Sequence, residues 1–349
     1  MSIHKISIAE FISLSDTLSV FDVRSPGEYA HAHFPQAHSL PLFSDEERKI
    51  VGTAYKHQGK QQAIKLGLDF FGVKMKKMVE VVEEIQKTNA SQSKKILVHC
   101  WRGGMRSSAV AWLLDLYGFD VYLLVGGYKA FRTWVLEQFE KTYSIKVLGG
   151  YTGSGKTEIL HALKESNEKV IDLEGLANHK GSAFGGIGLE PQPSQEMFEN
   201  KLALQLFNNA AEFWMEDESQ RIGRVNIPHP LWKTIRKSPL YFIDIPFKER
   251  LKYIEKNYGK LDQQKLIEAV ARIEKRLGPL ETKTTINLLQ ENNIQEAFEI
   301  LLHYYDKTYS KALYSREDVN KLLQQIKAES TDAENNKNKI LHFIKEVND

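Results

Sequence analysis

Ile96–Val110, "ILVHCWRGGMRSSAV", runs from an apolar strand-like stretch through two glycines into a helical pattern, with Cys100, the chain's single cysteine, at the junction. A strand that turns sharply into a helix leaves backbone N–H groups converging at the turn, and such a nest binds anions. The same field, with Arg102 and Arg106 adding positive charge, favours the thiolate, which is the nucleophilic form of cysteine. Trp101, Gly103, Gly104, Met105 and Ser107 complete the loop that would surround an anion, Trp101 and Met105 as packing residues without chemistry. A single cysteine is otherwise a small apolar filler at a strand end. The coincidence of glycines, arginines and helix start argues for the nucleophile, which must then be ionised near neutrality and open to solvent.

Working outward, apolar strand-like runs alternate with helical patterns from Leu18 to about Ile245, the signature of α/β layering on parallel strands. "LSVFDVR", "KKILVHC" and "DVYLLVGG" read as strands of a first domain, which also contains a polar insert, "FSDEERKIVGTAYKHQGKQQAIKLG", with Lys56, Lys60 and Lys65 in a substrate-facing excursion. Around residues 133–145 the pattern restarts, with the helical "YKAFRTWVLEQFEK" as connector. This gives domains at residues 1–140 and 141–250 and a helical region at 251–349. In that last region "DQQKLIEAVARIEKRLG" predicts a helix ending at Gly278-Pro279. A capping box from Ser315 to Asp318 predicts a helix over "SREDVNKLLQQIKAE", and "TDAENNKNK" reads as a loose loop before a short terminal helix.

Gly150-Tyr-Thr-Gly-Ser-Gly-Lys-Thr157 fits the phosphate-binding loop pattern, with a strand before it and a helix after it. Gly150, Gly153, Ser154 and Gly155 let backbone N–H groups wrap a diphosphate, Lys156 neutralises its charge, and the Thr157 hydroxyl is suited to Mg²⁺. Acid, base or metal-side candidates are Asp172 and Glu174, ending a strand "KVIDLE", and Glu216, Asp217 and Glu218 in "FWMEDES", for which a solvated acidic turn is the alternative. "LANHKGSAFGGIG" is glycine-dense and reads as a loop that closes over a ligand. Arg221, Arg224, Lys233, Arg236 and Lys237, interleaved with His229 and Trp232, suit RNA phosphate contacts and base stacking; solvated helix surface is the competing reading.

Composition bounds the function. Hydrophobic residues at 42% and charged residues at 26% describe an ordinary globular chain, and a net charge of +2 does not argue for nucleic acid by itself. One cysteine excludes an internal disulfide framework and a multi-cysteine zinc site, which fits a reducing, cytoplasmic setting. The first residues lack a signal-peptide core, and no run of about 18 apolar residues suggests a membrane span.

Two families share the cysteine loop. His99-Cys100, five residues, then Arg106-Ser107 also spells the signature of cysteine-dependent phosphatases, whereas "FDVRSPGEYAHAHFPQAHSLP" and "VYLLVGGYKAF" resemble segments of rhodanese-like domains. In that scaffold Asp22 and Arg24 are expected as a structural ion pair and His33 as scaffold. The loop is one residue longer than sulfurtransferase rhodaneses usually carry, which points to a ligand with both a chalcogen and a phosphate. Taken together, "HCWRGGMRS", "FSDEERKIVGTAYKHQG", "GYTGSGKTEIL" and "DLEGLANHKGSAFG" resemble the tRNA 2-selenouridine synthase family over roughly residues 15–245. The resemblance implies a rhodanese-like domain fused to a P-loop NTPase-like parallel-sheet domain. It implies exchange of the sulfur of wobble 2-thiouridine in tRNA for selenium from selenophosphate, through an S-geranylated intermediate made from geranyl diphosphate, without zinc or haem. A selenophosphate-producing enzyme is the partner this expects, and no membrane. A phosphatase fused to a P-loop kinase, and a nucleotide-regulated RNA-binding protein with an inert thiol loop, are the readings against it.

Overall fold

A computed structural model describes residues 3–88, 93–209 and 211–348, in two compact units, Met1–Gln138 and Phe139–Asp349. The first unit holds β1 (Ile3–Ile6), β2 (Val20–Asp22), β3 (His38–Ser39), β4 (Lys95–His99) and β5 (Asp120–Leu124), all parallel, in the order β1-β5-β4-β2-β3. β4 lies at the centre, and its Ile96, Leu97 and Val98 are fully buried, as a strand covered on both faces requires. Its carboxyl end delivers Cys100. Gly103 makes the turn possible: its φ of +65° is left-handed, and a Cβ there would stand 2.6 Å from the Leu124 carbonyl. Two strands went unread: β3 has two residues, and β1, "IHKI", carries two polar ones.

The polar insert forms two helices, Asp45–His57 and Lys60–Gly72, separated at Gly59. A capping box starts the first, Ser44 Oγ accepting from Glu47 N–H at 3.2 Å and the Glu47 carboxylate from Ser44 N–H at 2.8 Å. Asp45 anchors that start by accepting from Gly27 N–H at 3.0–3.1 Å, beside the short helix Pro26–His31. Asp22 and Arg24 form the expected ion pair at 2.6 Å. Arg24, 1% exposed, also donates to the Ala32 carbonyl at 2.8 Å and lies 3.7 Å over the Tyr128 ring. His33 stacks on Tyr29 and bonds its carbonyl, a scaffold role.

In the second unit β6 (Ile145–Gly150), β7 (Phe213–Glu216), β10 (Leu240–Asp244) and β11 (Leu323–Lys327) form a parallel sheet in the order β11-β10-β6-β7, with a separate antiparallel pair β8 (Arg221–Ile222) and β9 (Val225–Asn226). Three local expectations fail here. "KVIDLE" is not a strand: Val170 makes one bridge to Trp214, and Asp172 caps the helix Leu173–Ala177 by accepting from Gly175 N–H at 2.7 Å. The Ser315 capping box does not form. Ser315 ends the helix Ile294–Tyr314, Asp318 turns at a φ of +54°, and "LQQIK" becomes β11 because the free edge of β10 pairs it in register. Helix-favouring side chains yield there to a sheet edge, a tertiary override of propensity. "TDAENNKNK" mostly joins the helix Ala333–Asn348, which starts where Asp332 accepts from Asn335 N–H at 2.9 Å. The Asp262 helix begins as read and breaks at Ile273, and its short continuation ends at Gly278.

Residues 251–349 are thus mainly helical, yet they complete the P-loop sheet. Ile326 of β11, with Ile340 and Ile344 of the last helix, packs into one core with Leu148, Ile159, Leu160 and Leu163 around the phosphate loop. Ile326→Ala should therefore cost the second unit about 2–5 kcal/mol by the usual cavity penalty, read as a lower midpoint in urea unfolding. An unchanged midpoint would mean that the C-terminal segment is an appendage.

Candidate functional site

At the cysteine loop the Ser107 hydroxyl lies 3.1 Å from Cys100 Sγ and 3.2 Å from the Gly104 carbonyl. Burial pushes the thiol pKa up, but the Ser107 hydroxyl, the N–H groups of Ser107 and Arg102, and the charge of Arg106 outweigh it, so the net shift is downward. Arg102 acts through its backbone; its side chain is exposed. Met105 is half exposed rather than packed into the loop, because it sits at the open first turn of the helix Met105–Tyr117. Trp101 leans toward Tyr128 and the Arg24 guanidinium, with 36% of its surface open. The thiol is only 3% exposed and counts in one core with Val98, Val110 and Ala111. Ionisation therefore agrees with the sequence reading in direction, whereas the solvent opening it required is nearly closed.

The phosphate loop follows β6. Gly153, at a φ of +81°, packs so tightly that a Cβ would stand 2.8 Å from Ile254. Lys156 Nζ donates to the Gly150 carbonyl at 3.0 Å, and Thr157 Oγ1 to Glu174 Oε2 at 3.0 Å. Ser154 is buried, with no partner for its hydroxyl among the described residues. Arg250, 3% exposed, donates to the Thr152 carbonyl at 3.0 Å and grips Asp306 through two bonds of 2.7–2.8 Å. Tyr309 OH accepts from Gly150 N–H at 3.3 Å and donates to Asp217 at 2.7 Å, and Arg316 pairs with the same carboxylate. Arg250, Asp306, Tyr309 and Arg316 were missed in the sequence because no local motif connects them to residues 150–157.

The five acidic candidates separate. Glu174 and Glu218 are hydrogen-bonded to each other next to Lys156 and Thr157, and burial pushes both pKa values up. Glu216 lies behind them, its pKa raised by burial and by Asp172 and Glu174; one of its oxygens accepts from Glu174 N–H at 2.7 Å and the other has no partner among the described residues. Asp217 belongs to the Tyr309–Arg316 network and Asp172 caps a helix. A solvated acidic turn is excluded by this burial. Among the described residues, no three His, Cys, Asp or Glu side chains are arranged to hold a metal by themselves. The Thr157 hydroxyl, with the Glu174 and Glu218 carboxyl groups beside it, nevertheless fits a hydrated divalent cation that takes its other ligands from phosphate oxygens.

The phosphate loop opens into a cavity of about 1370 Å³. Glycine-rich residues 178–184 and 186–188 line it, Phe184 and Ile187 among them, as do Leu301, Leu302, Tyr304 and Tyr305. Arg221, Arg224 and Arg236 also line it, together with Trp232; Lys233 and Lys237 do not. Arg236 is held by the Ala312 carbonyl and Ser315 at 3.2 Å, and its guanidinium lies 5.7 Å from the Trp232 ring. No helix among the described residues is long and apolar enough to cross a membrane.

Comparison with known proteins agrees with this two-part architecture. Residues 7–133 match the rhodanese-like domain, and residues 143–338 match the tRNA 2-selenouridine synthase AAA domain. A tRNA 2-selenouridine synthase of Sulfurovum sp. (strain NBC37-1) is 34% identical over 84% of this chain and 87% of its own length. Another from Hydrogenovibrio crunogenus is 37% identical over 75% of this chain and 76% of its own, and one from Pseudomonas savastanoi pv. phaseolicola is 35% identical over 85% and 88%. With a cysteine-loop rhodanese unit, a phosphate-loop unit and this extent of likeness, the chain belongs to the tRNA 2-selenouridine synthase family.

Proposed function

We propose that this protein is a transferase that exchanges the sulfur of wobble 2-thiouridine in tRNA for selenium from selenophosphate, by way of an S-geranylated base made from geranyl diphosphate. The observation that carries the geranyl step is the cavity at the phosphate loop. A cradle for phosphates that opens onto leucines, a phenylalanine and tyrosines offers an isoprenoid chain the burial it needs. In the first step the thiocarbonyl sulfur attacks C1 of the geranyl chain, the C–O bond breaks, diphosphate leaves, and the base loses its N3 proton. Lys156 and the loop N–H groups of Gly153–Thr157 stabilise the charge gathering on the departing diphosphate. Mg²⁺, held by the Thr157 hydroxyl with Glu174 and Glu218 close by, would neutralise the same charge. In the second step the selenium of selenophosphate attacks C2 and the C–S bond breaks, releasing geranyl thiol, a better leaving group than the sulfide of an unalkylated thiocarbonyl; water then attacks phosphorus, the P–Se bond breaks and phosphate leaves. Cys100 holds the selenium of selenophosphate, while the loop N–H groups and Arg106 bind its phosphate. Arg221, Arg224 and Arg236, with Trp232, are suited to the tRNA phosphates and the target base.

Lys156→Ala should weaken geranyl diphosphate binding about 10- to 100-fold, the scale of a lost charge-assisted contact, in direct titration; unchanged affinity would reject the diphosphate assignment. Geranyl diphosphate should also bind at least about tenfold tighter than dimethylallyl diphosphate, since each buried CH₂ is worth about 0.8 kcal/mol. Equal affinities, or steady ATP turnover without prenyl transfer, would favour a kinase.

Cys100→Ser should abolish selenation and spare geranylation, assayed by mass analysis of the tRNA nucleosides; loss of both would reject the division of labour. Ser107→Ala removes a hydrogen bond that favours the thiolate, so the pH midpoint for alkylation of Cys100 should move up. An unmoved midpoint, or a wild-type thiol unreactive at neutral pH, would sink the thiolate role.

A further inference from the structure

Glu28, in the helix Pro26–His31, concentrates an unusual set of donors on one carboxylate oxygen. Arg106 Nη1 donates to Oε2 at 2.8 Å, Arg48 Nε forms an ion pair with the same oxygen at 2.8 Å, and Ser25 adds its N–H at 3.1 Å and its hydroxyl at 3.2 Å. Arg106 comes from the helix that follows the cysteine loop, and its charge reaches the Cys100 thiol. Arg48 comes from the insert helix Asp45–His57, whose start Asp45 anchors to Gly27, one residue before Glu28. Both guanidinium groups therefore have a fixed origin and converge from opposite elements. The Glu28 side chain is 14% exposed. Two guanidinium cations against one carboxylate leave a net positive charge, with most of their N–H groups outside these two bonds. A tetrahedral dianion offers several oxygens and twice the charge, a better match to two planar forks than a single shared oxygen.

We propose that Glu28 occupies an oxyanion position ahead of the substrate, and that Arg48 and Arg106 together are the side-chain cations that bind the phosphate group of the selenium donor once it displaces this carboxylate. Arg48, from the insert, takes the place that the sequence assigned to the Arg102 side chain. The Ser25 bonds fall on the same oxygen as the arginine contacts, so a displaced Glu28 gives up its capping box as well. The inference rests on the reading of the cysteine loop as an oxyanion site, and it explains why the insert is docked against that loop.

Because Cys100 is the chain's single cysteine, its alkylation by iodoacetamide reports on this loop and not on the phosphate loop. Inorganic phosphate is the probe, and the phosphate concentration that halves the alkylation rate of the full-length protein is the measurement. Arg48→Ala should raise that concentration about tenfold, the scale of one charge-assisted contact. Glu28→Gln, which retains the capping box and removes the competing charge, should lower it several-fold. Thermal melts of both variants establish that they are folded. Should the thiol alkylate too slowly to follow, the same ordering is read as KM for selenophosphate in tRNA selenation. If Arg48→Ala matches wild type, or Glu28→Gln protects less well, Glu28 is a helix cap holding two arginines and the inference is overturned. If phosphate fails to protect even the wild type, the oxyanion reading of the loop falls, and this inference with it.

Discussion

Backbone N–H groups left unpaired where a parallel strand turns into a helix are the resource on which both candidate centres are built. At the end of β4 they act on a sulfur, and at the end of β6 they form a cradle beside which Lys156 donates to the Gly150 carbonyl. Each turn works only because a glycine adopts a left-handed conformation against close neighbours, the Leu124 carbonyl at Gly103 and Ile254 at Gly153. The sheets come first in this logic, since a strand must be buried on both faces before its end can hold a loop to within fractions of an ångström.

At Cys100, burial and hydrogen bonding oppose each other, and the direction of the balance sets the chemistry. Burial alone would keep the sulfur protonated, but the bonds from Ser107 and two backbone N–H groups, with Arg106 nearby, tip it toward the thiolate. The same enclosure that sharpens those bonds leaves the sulfur 3% exposed. Ionisation and access are therefore in tension at this sulfur.

At the phosphate loop the C-terminal helices supply what the motif lacks. Arg250 joins the Thr152 carbonyl to Asp306, and Tyr309 joins Gly150 to Asp217, so the helix Ile294–Tyr314 is tied to the loop at two points while its Leu301, Leu302 and Tyr305 line the cavity. The cradle is thereby linked to its apolar wall. A ligand that fills both must satisfy phosphate chemistry and hydrocarbon burial at once, a demand that a prenyl diphosphate meets.

Short-range information was legible in the residues: the central strand before Cys100, the Gly150–Thr157 cradle, the Asp22–Arg24 pair and the stop at Gly278 all follow from spacing and local chemistry. Partners far apart in the chain were not. Ser315–Asp318 spells a helix cap, yet β10 had a free edge that only the folded sheet presents, and "LQQIK" filled it. Arg102 and Arg106 both read as loop cations in the sequence, but the folded loop exposes one guanidinium and brings the other to Glu28 beside Arg48, more than 50 residues earlier in the chain. The five carboxylates were indistinguishable as letters, and burial with long-range hydrogen bonding separated a pair with raised pKa values from a helix cap and a tyrosine partner. Local sequence settled where a strand turns through glycines into a helix, because backbone geometry is a near-neighbour property. Packing decided which side chains face those loops, because desolvation and long-range pairing exist only once the chain has closed on itself.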